Sequence, residues 1–175
     1  MIYECERRLR VEVPIDVVWD WMSDVRRVLS LNIFHAEVDY PEPVIQAGVA
    51  VPVRHNIAWL YRQTRLAHIR IYRPYTVAWD EVQAHGIDRF PHRQSLTLES
   101  INPQACVIVN RLRGQFRLGI PGGRYWFMPI YRRLAPRVLN HENRQIAAAV
   151  GGLSSDRTSF VTGHAMMVNG DRQAK

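Results

Sequence analysis

The sequence predicts an α+β domain: a curved antiparallel sheet of about seven strands wrapped around one long C-terminal helix, with two short helices after the first strand. Three observations carry this. A strand-like segment runs straight into a helical one in RRLRVEVPIDVVWDWM, Arg7 to Met22. Roughly a hundred residues of strand-like sequence follow, broken by short turns, and then comes one long helical stretch from about Gly122 to Val150. A straight helix cannot touch a curved sheet everywhere, so a cavity is expected between the two.

From Tyr3 to Val13, Leu9, Val11 and Val13 alternate with Arg8, Arg10 and Glu12, as in a half-buried strand. Pro14 ends it and suits a helix start, where its missing N–H would be unsatisfied anyway. Val17, Val18, Trp21 and Met22 then recur at helical spacing. Ser23 and Asp24 are candidate caps for a second short helix, Val25 to Leu31. Strands are expected at Ala36–Tyr40, Val49–Trp59, Arg62–Tyr72, Tyr75–Ala84, Arg93–Ile101 and Ala105–Leu118. The separators Pro41-Glu42-Pro43, Arg73-Pro74, His85-Gly86 and Asn102-Pro103 are turn-like and short, which favours an antiparallel meander. Gly114 is read as a bulge or bend in the last long strand. Pro129 and Pro136 predict a kink or interrupted start in the long helix, and Gly151-Gly152 its end.

At 175 residues the chain is long enough for one buried core and short for two domains. Residues 1–150 are read as the domain and 151–175 as a poorly packed tail, extended or a short hairpin. No run of eighteen apolar residues predicts an integral membrane segment. The acidic, polar start MIYECERRLR lacks the apolar core of a secretory signal, and two cysteines, Cys5 and Cys106, suit a reducing cytoplasm. The net charge of +7 raises the question of nucleic acid. Lys175 is the only lysine, however, and the arginines are dispersed, many alternating with apolar residues as on solvated strand faces. No nucleic-acid partner is expected.

The opening VEVPIDVVWDWMSDV, the segment RIYRPYTVAWDEV, and GIDRFPHRQSLTLESI followed by CVIVNRLRGQF together resemble the SRPBCC superfamily, the START-like and polyketide-cyclase-like proteins. The likeness covers about residues 3–150 and implies the helix-grip fold with a pocket for a hydrophobic or aromatic small molecule. It supplies a pocket and no particular reaction. The tail LSSDRTSFVTGHAMMVNG, Leu153 to Gly170, resembles the C-terminal end of short-chain dehydrogenases, with Asn169 where that pattern has aspartate. The Tyr-x-x-x-Lys pair and the glycine-rich phosphate loop of those enzymes are missing, so no cofactor is expected. The tail suggests a fusion remnant and a possible partner reductase.

The candidate chemistry is dispersed. His92, Gln94, Leu96 and Leu98 share one strand face, the more apolar and hence the concave one. His92 there is a candidate acid–base group or ligand donor. Trp59 and Trp79 are candidate aromatic walls, and Glu81 shares the face of Trp79, where it would be a perturbed acid or pair with Arg111 or Arg113. On the long helix, Leu134, Val138, His141, Gln145 and Ala149 follow helical spacing, with Glu142 at the edge of that face. The catalytic candidates are thus His92, Glu81 and His141. The ligand wall is Trp59, Trp79, Leu96, Leu98, Leu134 and Val138, with His92, Gln94 and His141 as polar groups. His35, His55, His68, His85 and His164 show no His-Glu-x-x-His or Cys-x-x-Cys spacing, so no metal is expected. Neither cysteine has an adjacent histidine, and no Gly-x-Ser-x-Gly elbow occurs. The expected function is small-molecule binding, with a cyclase or aromatase-type enzyme and an accessory module of a reductase as alternatives.

Overall fold

The structure, a computed structural model, describes residues 2–39, 47–57, 61–86, 88, 90–115, 123–154 and 165–166. Strand β1 (Ile2–Val11) leads through Pro14 into α1 (Ile15–Met22) and α2 (Val25–Ser30). Asp24 caps α2 by accepting a hydrogen bond from the Arg26 amide, 3.1 Å away, which satisfies one of the orphan donors of the first turn. Six strands follow: β2 (His35–Val38), β3 (Ala50–Ile57), β4 (Tyr61–Arg73), β5 (Thr76–Gln83), β6 (His92–Asn102) and β7 (Ala105–Gln115). Each pairs antiparallel with the next, and β7 pairs with β1. The long helix α3 (Gly123–Ser154) packs on β1, β7 and α1. This is the helix-grip arrangement: seven antiparallel strands curled about a C-terminal helix.

Two expectations about the chain's breakers need correcting. Gly114 is no bulge: it holds regular register with His92 on one side and Tyr3 on the other. Its role is spatial, since a Cβ there would lie 3.0 Å from the Phe90 ring. Nor do Gly151 and Gly152 end α3, which continues to Ser154. Glycine in a helix costs only about 1 kcal/mol against alanine, too little to stop a helix already held by packing. The helix also runs through Pro129 and Pro136. Of the tail, Ala165–Met166 form β8, which pairs antiparallel with Leu9 and Arg8 on the free side of β1.

Alternation sorts the sheet into two faces. Leu9, Val11, Val51, Val53, Ile69, Val77, Trp79, Leu96, Leu98 and Ile108 point inward and join Met22, Val25, Leu29 and Ile146 in one continuous core. Arg54, Arg70 and Arg93 occupy the opposite face and pair across strands, Arg70 and Arg93 with Asp80 at 2.8 and 2.6 Å and Arg54 with Glu37 at 2.7 Å. Those pairs are solvated and of modest energetic weight.

Candidate functional site

The inner face is apolar except for one region. On β5, Val77, Trp79 and Glu81 alternate inward, so a carboxylate follows two core residues and is itself fully buried. Its cross-strand neighbours are Ala67 on β4 and His92 on β6, and His92 is followed across the sheet by Gly114. The small residues on either side leave room above Glu81 for side chains from neighbouring strands. Arg65, two residues before Ala67 and in phase with it, reaches Glu81 Oε1 with Nε at 2.9 Å. Its Nη2 donates to the carbonyls of Glu81 and Phe90, at 2.9 and 2.7 Å.

Two more imidazoles arrive from the sheet's edge. His35 and His55 are direct partners across β2 and β3, with ring centres 4.6 Å apart. The β2–β3 register shifts between His35 and Glu37, and such irregularities re-aim side chains. His55 Nε2 lies 2.7 Å from Glu81 Oε1, and the Nε2 atoms of His35 and His92 each lie 3.4 Å from Glu81 Oε2. One carboxylate therefore faces three imidazoles and a guanidinium in an almost dry space. Among the described residues, His35, His55 and Glu81 place donor atoms within 4.8 Å of one another, a spacing that can hold a metal ion.

The electrostatics follow from that crowding. Burial alone would raise the Glu81 pKa, but attraction to His92 and the close approach of the His35, His55 and His92 imidazoles hold it well below the ordinary carboxylate range. Burial would lower His35, yet the Glu81 carboxylate outweighs it and raises this histidine. At His55 burial prevails, helped by repulsion from His35 and Arg65, and the pKa falls.

A second polar layer lies beside the first. Gln94 of β6 and Asn110 of β7 both donate to Glu142 Oε2 of α3, at 2.5 and 2.7 Å, and Gln94 also donates to Asn110 Oδ1 at 3.1 Å. All three side chains are at most 2% exposed. Burial pushes the Glu142 carboxyl up to about 7, against the lowering effect of the two amide donors. Two buried carboxyl groups with oppositely shifted pKa values thus share the interior, a pattern that separates a proton acceptor from a proton carrier.

The structure gathers some of the sequence candidates and disperses others. His92, Glu81 and Gln94 meet at the polar cluster. Trp79, Leu96, Leu98 and Val138 are 6% exposed or less and pack as core, while Leu134 is half-buried. Trp59 lies outside the described residues. His141 is exposed, which corrects the expected helix face. The buried stripe of α3 is Ala135, Val138, Leu139, Glu142, Asn143, Ile146, Ala147 and Val150, one position round from the expected one. The buried Glu142 and Asn143 disguised that stripe, because apolar periodicity places polar residues outward. Arg111 and Arg113 are not the partners of Glu81 either: Arg111 is exposed and pairs with Glu6, whereas Arg65 holds Glu81.

Sequence reasoning missed His35, His55, Arg65 and Asn110. A signal existed in β4 and β3. Arg65 is in phase with Ala67 and Ile69, and His55 with Val51 and Val53, so each polar residue extends an inward-facing apolar row. A cavity of about 470 Å³ opens at the β2–β3–β4 edge. Its lining includes Arg54, Arg62, Thr64 and His55, so His55 joins the cavity to the buried Glu81.

No family model matches the chain, and no curated protein is significantly similar to it in sequence. Solved structures are similar in fold. A START superfamily protein from Mycobacterium smegmatis is 14% identical with a TM-score of 0.61, over 86% of this chain and 98% of that one. The Zhui aromatase/cyclase from Streptomyces is 14% identical with a TM-score of 0.62, over 83% and 94% of the two chains. Norcoclaurine synthase from Thalictrum flavum, solved with dopamine and hydroxybenzaldehyde, is 11% identical with a TM-score of 0.60, over 91% and 90%. Identities this low establish the START-like fold and nothing finer.

Proposed function

We propose that the protein binds a hydrophobic or aromatic small molecule on the concave side of the sheet, reached from the cavity at the β2–β3–β4 edge, with the ligand's polar end received by Glu81, His35, His55 and His92. The supporting observation is the ionised, fully buried Glu81 ringed by three imidazoles and Arg65 on the concave face. A fold gains little stability from so many desolvated charges, since burying an ion pair costs about what its attraction returns. A recognition site accounts for their retention. The dopamine and hydroxybenzaldehyde bound in norcoclaurine synthase, whose fold is similar, support an aromatic ligand.

A proton-transfer enzyme of the cyclase or aromatase type is the second reading, favoured by Glu142. A carboxyl titrating at about 7 beside a carboxylate that stays ionised is suited to moving one proton near neutral pH. The reductase-module reading drew on Leu153 to Gly170, of which only 153–154 and 165–166 are described, and no described residue favours it.

Native mass spectrometry of gently purified protein, followed by extraction, tests the binding proposal. Adduct mass belonging to an organic compound, released on denaturation, is the expected result. Absence of any adduct, together with no saturable uptake from a panel of planar polycyclic aromatics, would count decisively against it. Turnover of such a compound that survives His92→Ala but is lost in Glu142→Gln would select the second reading.

A further inference from the structure

We propose that His35, His55 and Glu81, with His92 beside them, form a binding site for one divalent transition-metal ion of the zinc type. The proposal goes beyond small-molecule binding and does not rest on it.

The first argument is hydrogen placement. His35 Nδ1 lies 2.5 Å from the Leu29 carbonyl, which can only accept, so Nδ1 carries the hydrogen. His92 Nδ1 faces the Phe90 carbonyl in the same way at 3.3 Å. In the neutral rings Nε2 then presents a lone pair, and both lone pairs point at Glu81 Oε2. Lone pairs facing a carboxylate oxygen repel unless a positive charge lies between them, either a proton on Nε2 or a bound metal ion, and the same atoms that hold the proton can hold the ion. A backbone carbonyl on the far nitrogen is also the usual outer support of a metal-bound histidine, fixing ring and tautomer.

The second argument is spacing. Ligand atoms about 2.0–2.1 Å from a tetrahedral ion are about 3.3 Å from one another. The separations of His35 Nε2 and His92 Nε2 from Glu81 Oε2 are both 3.4 Å. The third is satisfaction. His35 Nε2, His55 Nε2 and both Glu81 oxygens are buried, and among the described residues none makes a hydrogen bond of good geometry despite these short approaches. Buried polar atoms in native proteins are nearly always satisfied, so a convergent set lacking that marks a place for a ligand.

Arg65 does not compete for the ion. It approaches Glu81 Oε1 at 2.9 Å, the oxygen that His55 Nε2 also meets at 2.7 Å, and leaves Oε2 to His35 and His92. Two nitrogens and one oxygen from His35, His55 and Glu81, with His92 Nε2 3.4 Å from Glu81 Oε2 as a further nitrogen nearby, suit zinc, cobalt or ferrous iron and disfavour calcium and magnesium, which take oxygen ligands. The cavity at the β2–β3–β4 edge gives His55 access to solvent and supplies a route for the ion.

The test uses the full chain, stripped with a chelator and titrated with Zn²⁺ or Co²⁺ alone. One ion per chain should bind, the melting temperature should rise, and Co²⁺ should show the intense visible bands of four-coordinate nitrogen and oxygen ligation. Glu81→Gln and His55→Gln should each weaken binding by on the order of 100-fold or more, while the exposed-residue control His141→Ala should leave it unchanged. A pale six-coordinate Co²⁺ spectrum, or binding that His55→Gln leaves intact, would overturn the proposal. Should both variants fail to fold, the wild-type Co²⁺ spectrum alone decides. Metal with neither an organic adduct nor saturable uptake of aromatics would sink the ligand proposal and sustain this one, and an adduct without metal binding would do the reverse.

Discussion

Glu81 and His92 face one another as direct partners across β5 and β6, with Glu81 Oε2 3.4 Å from His92 Nε2 and Ala67 and Gly114 on their outer sides. Large residues at those two flanking positions would fill the space into which His35, His55 and Phe90 now project. The polar cluster is therefore built as much by what the neighbouring strands omit as by what β5 and β6 supply.

Glu81 should make stability acid-sensitive. Its folded pKa lies well below the ordinary carboxylate value of 4.5. A depressed carboxylate contributes stability that is complete above its unfolded pKa and is lost as pH falls through the folded one. Urea midpoints should therefore drop below about pH 4.5, and Glu81→Gln should flatten that part of the profile. The variant should also lose about 3 kcal/mol at neutral pH, because buried Arg65 would keep only the more distant Asp88 carboxylate, 3.4 Å away. An unchanged acid limb in Glu81→Gln would show that other carboxyl groups govern acid unfolding.

Glu142 should act with the opposite sign. Burial holds its folded pKa at about 7, above the unfolded value of 4.5, so the folded state retains a proton that the unfolded chain releases. Stability from this group is full below pH 4.5 and declines as pH rises towards 7, by up to about 3 kcal/mol across the window. Glu142→Gln can keep an oxygen for the Gln94 and Asn110 donors without the ionisation. It should remove the decline between pH 5 and 7.5 in chemical denaturation and raise stability at the upper end. A steeper decline in the variant would refute the assignment.

Much of the fold was legible because it follows from period. Alternation at Leu9, Val11 and Val13 and at Val77, Trp79 and Glu81, with helical spacing at Val17, Val18, Trp21 and Met22, fixed elements and faces together. The site was legible only where a candidate lay on such an element, as Glu81, His92 and Gln94 did. His35 and His55 arrive from β2 and β3, twenty-six or more positions before Glu81, and only strand pairing brings them near. The stripe of α3 was read one position off, because its centre holds Glu142 and Asn143, polar residues whose partners Gln94 and the Arg7 carbonyl lie far off in sequence.

Gly114 should tolerate little. A Cβ would meet Phe90 Cε2 and Cζ at 3.0 Å, inside ordinary contact, and the Phe90 ring is held edge-on against Tyr131 at 4.8 Å. Gly114→Val should cost about 1–3 kcal/mol through overpacking and displace the Phe90 carbonyl from Arg65. Thermal denaturation measures the first effect. A variant as stable as the wild type would show that Phe90 moves freely, and would remove the spatial reason given for this glycine.

His92→Ala separates a recognition role from a structural one. The ring packs 5.1 Å from Phe90, and its Nε2 approaches Glu81, yet it sits at the start of β6 where little apolar core depends on it. Removing the imidazole deletes one of the groups that keep Glu81 ionised while leaving Arg65, His35 and His55 in place. The fold should persist, with a modest fall in melting temperature. Affinity for an aromatic or hydrophobic ligand should fall by on the order of 10-fold or more, the value of one hydrogen bond to a charged partner. Calorimetric titration of wild type and variant with the same ligand measures this. Equal affinities with equal melting temperatures would remove His92 from the site, and a collapse of stability with affinity intact would make it a structural residue.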